Sequence, residues 1–219
     1  MIILKIFGKE TLAKKLVISL CERIRPNSSV LLVDTISGSR ILPIHYGVQD
    51  ETIYDVYDFL NGDVSLFKSV VEVDDNFSIL ASSYLPDKIS FKNTDTIKLV
   101  EEARDHYNHV LMLCSDEVSK WELGDGINIH IYSKDSGINS SLGTNKIVID
   151  NTENILKDQM YLEELEQLSE MGYTVIGVIN KMDDSESDRI YDKLDSTESI
   201  EYKTKGIITR IKEVFIKND

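Results

Sequence analysis

Eight consecutive residues near the start of the chain, Gly8-Lys9-Glu10-Thr11-Leu12-Ala13-Lys14-Lys15, have the length and the lysine of a phosphate-handling turn. In the pattern G-x-x-x-x-G-K-[ST], glycines let backbone N–H groups wrap phosphate oxygens, the lysine neutralises their charge and the hydroxyl holds Mg²⁺. Gly8 and Lys14 fit. Ala13 stands at the second glycine, where a Cβ obstructs close approach of phosphate, and Lys15 stands at the hydroxyl, bringing a cation where a metal would be held. The plain reading of the octet is an ordinary strand-to-helix turn. Two readings of its lysines stay open. Lys15 places its ammonium at the metal position and supports metal-free nucleotide binding, or Lys14 and Lys15 pair with Glu10 and Asp34 around an empty loop. The empty loop is the expectation.

Two other stretches could do chemistry. Asn180-Lys181-Met182-Asp183 fits N-K-x-D, a base-reading tetrapeptide, although as a strand-to-helix turn it needs no ligand. Near the end of the chain, Ile207, Ile208, Ile211, Val214 and Phe215 fall on one apolar stripe at about 100° per residue, flanked by Arg210, Lys212 and Lys217. Basic residues beside an apolar stripe suit anionic lipid headgroups, each worth about 1 kcal/mol near the surface; the bland counterpart is a terminal helix packed on the sheet. His45, His106, His109 and His130 have no metal-ligand spacing with Cys21 or Cys114, so no metal is expected. Neither Ser nor Cys sits in a nucleophile elbow, and Trp121 reads as a local packing anchor.

The elements that position these residues follow from periodicity. Residues 2–7 form a β-branched apolar run closed by Gly8, suited to a strand buried on both faces. Residues 9–25 carry apolar residues at helical spacing until Pro26-Asn27, and Val30-Leu31-Leu32-Val33 follows as a second strand. Residues 42–72 read as helix in pieces, with Ile53, Val56, Tyr57 and Leu60 spaced for one face and Asn61-Gly62-Asp63 as a break. A strand is expected at 77–81, a helix at 95–107, a central strand at 109–114, a strand at 146–150, an amphipathic helix at 154–171 capped by Gly172, and a strand at 173–179. Residues 116–145 are the least regular, an elaboration expected to project, with one alternating piece, Ile127-Asn128-Ile129-His130-Ile131. Alternating strands and helices predict an α/β domain whose mostly parallel sheet is covered on both faces, with ligands beyond the carboxyl ends of the strands.

Composition narrows the function. The chain of 219 residues is one domain's worth, with 42% hydrophobic and 28% charged residues, which excludes wholesale disorder. No apolar run approaches the 18 residues of a transmembrane helix. The net charge of -14 opposes broad attraction to nucleic acid or anionic lipid. Residues 203–219 carry five Lys/Arg against two Asp/Glu, a net +3, which leaves -17 on the preceding 202 residues. This reversal and the polar spacer Asp195-Ser196-Thr197-Glu198-Ser199 favour the membrane reading of the tail. Both cysteines sit in apolar segments and no signal-peptide pattern opens the chain, so reduced thiols in a cytoplasmic protein are expected.

Taken in order, the octet, Val30-Leu31-Leu32-Val33-Asp34-Thr35-Ile36-Ser37-Gly38-Ser39-Arg40, His109-Val110-Leu111-Met112-Leu113-Cys114-Ser115, Tyr54-Asp55-Val56-Tyr57-Asp58-Phe59-Leu60-Asn61-Gly62 and the tail resemble the MinD/ParA family of deviant Walker ATPases, nearest its MinD branch. The resemblance covers most of the chain except 116–145. It implies a three-layer α/β/α fold of the P-loop NTPase kind over 1–202 and a membrane-targeting amphipathic helix over 203–219. In the family's loop, G-K-G-G-V-G-K-T-T, Lys9 matches the signature lysine that reaches the partner subunit's nucleotide, and Lys14 matches the loop lysine. Asp34 matches the first acid of the second strand, Ile36 stands where the water-positioning acid would be, and Leu113 where the metal-side aspartate would be. Asn180 matches the position that reads adenine.

Hydrolysis needs a metal-binding hydroxyl, a carboxylate behind the metal and an acid to orient water, and the resemblance implies that all three are missing. The reading is therefore a pseudo-ATPase. Its vestigial nucleotide site comprises Gly8, Lys9, Lys14, Lys15, Asp34 and Asn180, with no cofactor expected and ATP without Mg²⁺, then GTP, as alternatives. Its membrane-binding residues are Ile207, Ile208, Arg210, Ile211, Lys212, Val214 and Phe215. The expected partners are an anionic membrane on the inner face of the cell, a protein not identified by sequence and a homodimer or heterodimer with a MinD-like subunit, with no nucleic acid. Division-site, pilus or secretion placement are the roles this implies; a working ATPase or GTPase switch with an altered loop is the chief rival and a DNA-segregation relative the third reading.

Overall fold

The computed structural model describes residues 1–38, 40–85, 93–114, 126–134, 146–153, 155–157, 159–171, 173–179 and 184–194. The β-branched apolar runs become strands, and seven of them are parallel. They are β1 (Ile2–Phe7), β2 (Val30–Asp34), β4 (Phe77–Leu80), β5 (His109–Leu113), β6 (Ile127–Tyr132), β7 (Lys146–Asp150) and β8 (Thr174–Ile179). β3 (Val70–Asp74) pairs antiparallel with β4, and the sheet order is β3-β4-β2-β5-β1-β6-β7-β8. β1 lies at the centre, Lys5 in register with Met112 on one side and Asn128 on the other.

Alternation along β1 divides the core. Leu4 and Ile6 pack with Leu16, Val17, Leu20 and Ile24 of α1 (Glu10–Ile24), whereas Ile3 and Phe7 pack with Val56 and Phe59 of α3 (Val56–Asn61) and with Leu99 and Ala103 of α5 (Asn93–Ala103). At the far end, Ile147, Ile149 and Val175 pack with Tyr161 and Leu165 of α6 (Gln159–Glu170). α7 (Asp184–Leu194) lies against β8 and α1; Gly177 makes room, since a Cβ there would stand 2.4 Å from Cγ1 of Ile190. Helices on both faces of a mostly parallel sheet give the expected three-layer α/β arrangement.

The structure corrects the sequence reading in three places. Ile127–Tyr132 does not project: it is an internal strand paired with β1 and β7, half-buried at Ile127 and Asn128 and buried from Ile129 to Tyr132. Within 42–72 only α2 (Ile41–His45), α3 and α4 (Leu66–Ser69) are helical, and Val70–Asp74 is strand. Ile53 lies outside the helical face because Asp55 starts α3 after it. The Asp55 carboxylate accepts from the N–H of Tyr57 and Asp58 at 2.8 and 3.2 Å, and Asp58 accepts from the N–H of Asp55 at 3.0 Å, a reciprocal cap. The third is α7, where the sequence reading placed no element: it is polar overall but buries Ile190 and Leu194 on one face.

Candidate functional site at the carboxyl ends of the central strands

β1 ends at Phe7, and α1 begins at Glu10. Only Gly8 and Lys9 connect them. Gly8 has φ +139, and a Cβ on it would stand 2.8 Å from Cβ and 3.1 Å from the carbonyl O of Ile131 on β6, so glycine is required by packing between strands. The carbonyl of Lys9 accepts from Leu12 N–H at 2.9 Å and Ala13 N–H at 3.0 Å, which closes the first helical turn at once.

The octet is a strand-to-helix turn that runs straight into α1, in keeping with the plain reading of its residues and the helical spacing over 9–25. Ala13, at the second glycine of the pattern, is a fully buried helical residue. Lys14 and Lys15 sit on the second turn, about 6 Å along the axis from Glu10 at 1.5 Å per residue, Lys14 half-buried and Lys15 exposed. Among the described residues neither lysine forms an ion pair with Glu10 or Asp34.

Asp34, the last residue of β2, is buried. Its carboxylate accepts from Ile36 N–H at 3.0 Å and Leu42 N–H at 3.4 Å, tying the start of α2 to the sheet. Burial pushes its pKa up to about 6; the two amides oppose the shift, as does the nearby Ser82 hydroxyl, which lies outside ordinary hydrogen-bond geometry, and Glu10 adds to it. Its hydrogen bonds serve backbone amides. Leu113, at the place of a metal-side acid, is buried, and its carbonyl accepts from Thr35 Oγ1 at 2.8 Å and Thr35 N–H at 3.1 Å.

These residues do not fit a magnesium nucleotide. The strand-to-helix connection is too short to wrap phosphate, the helix position that would bear the metal's hydroxyl is an exposed lysine, and apolar Leu113 and Ile36 stand where the resemblance puts acids. Among the described residues no group of three or more His, Cys, Asp or Glu is placed to hold a metal ion.

Other polar residues at this end are also occupied. Asp150 accepts from the N–H and hydroxyl of Thr152 at 3.1 and 2.7 Å. The Tyr132 hydroxyl donates to Glu164. His130 stacks on Phe7 with ring centroids 4.8 Å apart, and burial lowers its pKa to about 4, so it is neutral. Burial pushes Cys114 up to about 12 despite the opposing charge of Lys5, and Cys21 likewise.

Two residues of this region escaped the sequence reading as functional candidates. Lys5 is fully buried at the middle of β1, signalled only by a cation inside an apolar run. Arg40, noticed only within a matched segment, is buried at the start of α2 with φ +43. Asn180, with Lys181-Met182-Asp183, and the tail residues Ile207, Ile208, Arg210, Ile211, Lys212, Val214 and Phe215 lie outside the described residues.

No protein-family model matches the chain, and no curated protein matches its sequence. Solved structures do match. The Aquifex aeolicus MinC:MinD cell division complex aligns with a TM-score of 0.61 at 17% identity, covering 93% of this chain and 99% of that one. A Borrelia burgdorferi plasmid partition protein bound to AMPPNP aligns with a TM-score of 0.63 at 14% identity, covering 88% and 97%. A ParA family ATPase from Chlorobium tepidum aligns with a TM-score of 0.55 at 13% identity, covering 95% and 97%. Identity this low carries the architecture and not the chemistry. With its central β1, two helical layers and single antiparallel edge strand, the chain has the fold of the MinD and ParA-type ATPases.

Proposed function

We propose that this protein is a catalytically silent relative of MinD that works as a membrane-associated positioning or regulatory scaffold. The observation that carries the first half is the start of α1 at Glu10, directly after Gly8 and Lys9, with Ala13 buried inside the helix. Phosphoryl transfer depends almost wholly on positioning and on stabilising charge on the transferring group. Here the cradle, the metal hydroxyl and both acids are replaced together, each group being worth several kcal/mol in an active site.

The membrane half is supported by the tail. Its stripe of Ile207, Ile208, Ile211, Val214 and Phe215 with flanking Arg210 and Lys212 stands at the end of a body of net charge -17. One such stripe binds lipid marginally; two on a homodimer, or on a heterodimer with a MinD-like subunit, reinforce one another through effective concentration. Residence on the inner face of the cell membrane then depends on dimerisation or on a protein partner instead of on an ATP cycle.

Release of inorganic phosphate from ATP and GTP by the full chain tests the silence; turnover above background that vanishes on Lys14→Ala overturns it. Extraction and mass measurement of nucleotide from the purified protein decides between an empty site and metal-free ATP. Flotation with anionic liposomes, with and without 203–219, tests the anchor, and equal flotation of both forms refutes it.

A further inference from the structure

Open sheet edges invite pairing, and proteins blunt them with charge, bulges or cover. One edge of this sheet is blunted: β3 carries exposed Glu72 and Asp74, with a register shift between them. The other edge is β8, whose six residues, Thr174–Ile179, include no charge and no proline. Its side chains are covered, Val175 in the cluster of α6 and Ile176 in the cluster of α1 and α7. Among the described residues its backbone pairs on one side only, with β7.

The flank above this edge is acidic. α6 carries Glu163, Glu164, Glu166 and Glu170 and no Lys or Arg. Glu164 is turned toward the sheet centre, since it accepts from the Tyr132 hydroxyl on β6. At about 100° per residue, Glu166 and Glu170 fall about 200° and 240° round the helix from Glu164, on the flank turned to the β8 edge. A strand that adds to β8 must therefore be β-branched and basic. Within this chain the segment Ile207-Ile208-Thr209-Arg210-Ile211-Lys212 has that composition, in a tail of net charge +3 on a body of -17. It is also within reach. α7 runs back along β8 with Ile190 against Gly177, which brings Leu194 to the amino end of β8. The intervening residues 195–206 span up to about 40 Å when extended, twice the length of β8, about 20 Å.

We propose that residues 207–212 pair antiparallel with β8 of their own chain when no membrane is present, so that the sheet edge and lipid compete for the anchor. The hand of the fold sets the direction. β7, α6 and β8 step outward with α6 on one face, whereas α7 lies on the other. A further outward step through α7 to a parallel strand would be a left-handed crossover, which sheets almost never contain. Antiparallel pairing puts Arg210 and Lys212, about 7 Å apart on one side of a strand, beside Glu166 and Glu170, about 6 Å apart along α6. Both pairs then run toward the amino end of β8. The competition rests on the membrane reading of the tail given above; the pairing itself does not.

Hydrogen exchange of the lipid-free full chain tests the pairing, with a synthetic 203–219 peptide as reference. Amides of 207–211 should exchange about tenfold slower than in the peptide, at every protein concentration. All amides of 175–179 should be slow, whereas an open edge leaves alternate ones fast. Carbodiimide coupling should join Lys212 to Glu170 within one chain. Glu166→Gln with Glu170→Gln, changes on the outside of α6 that keep the fold, should speed exchange at 207–211 about fivefold and raise flotation on phosphatidylglycerol vesicles by a similar factor. Peptide-like exchange at 207–211, Lys205 in place of Lys212 on Glu170, or protection that grows with protein concentration overturns the proposal, pointing in turn to an unattached tail, a parallel strand or a second copy. So does protection of 207–211 while alternate amides of β8 stay fast, the mark of a tail packed elsewhere. Absence of flotation with the lipid-free results intact refutes the membrane reading and supports the pairing.

Discussion

Gly8, on the turn after β1, lies so close to Ile131 of β6 that a Cβ at Gly8 would stand 2.8 Å from Cβ of Ile131. Gly8 is therefore held by a neighbouring strand. The backbone, at φ +139, already occupies a region that side chains rarely adopt. Gly8→Ala should lower stability by about 2–4 kcal/mol, combining backbone strain and overpacking. Denaturant unfolding followed by circular dichroism measures it, and a loss below about 1 kcal/mol would contradict this packing.

Because α1 starts at Glu10, restoring phosphate-loop residue types should not restore a phosphate loop. Ala13→Gly with Lys15→Thr should leave ATP turnover at background. The variant should also lose about 1–2 kcal/mol, since a glycine replaces a buried helical alanine. Turnover and unfolding assays on the same preparation separate the outcomes; activity gained would mean that the turn opens into a loop.

Asp34 should make stability depend on pH in a direction opposite to the usual carboxylate. Burial, the largest influence, raises its folded pKa to about 6 from 3.8. The folded state then holds the proton more tightly than the unfolded state between these values, so stability falls as pH rises from about 4 to above 6. The upper bound is about 3 kcal/mol at 1.36 kcal/mol per pKa unit. Asp34→Asn should remove this component, so the stability difference between the two proteins should shift by a few kcal/mol over that range. Parallel urea titrations at pH 4.5 and 7 read it; a constant difference would show that Asp34 titrates normally.

The two thiols should be inert in the folded protein. Cys21 and Cys114 are buried, and burial pushes both to about 12, leaving negligible thiolate at neutral pH. A chromogenic disulfide reagent should titrate neither in buffer and both in guanidinium. Rapid reaction of either in the native state would place it at a surface or a hinge.

Much of the fold was legible because β1, β2, β5, β7 and β8 are mostly apolar runs, which suit strands covered on both faces. β6 was misread for a related reason. Asn128 and His130 break its apolar run, and alternation suggests an exposed face, yet His130 is buried by stacking on Phe7. That contact joins residues far apart in sequence, so no local pattern announces it. α7 went unseen because it buries Ile190 and Leu194 within an otherwise polar helix.

The identities at the site were decided by the sequence alone: no folding can supply a hydroxyl at Lys15, a carboxylate at Leu113 or a missing Cβ at Ala13. The charge division between the body and 203–219 is equally a matter of composition. Helical spacing over 9–25 already placed α1 directly behind the first strand, but why position 8 must be glycine was settled only in three dimensions, because Ile131 reaches it from β6. The burial of Arg40 is likewise tertiary. Its neighbours Thr52 and Tyr84 come from separate connections brought together at the ends of β2 and β4, a proximity that residue order does not express.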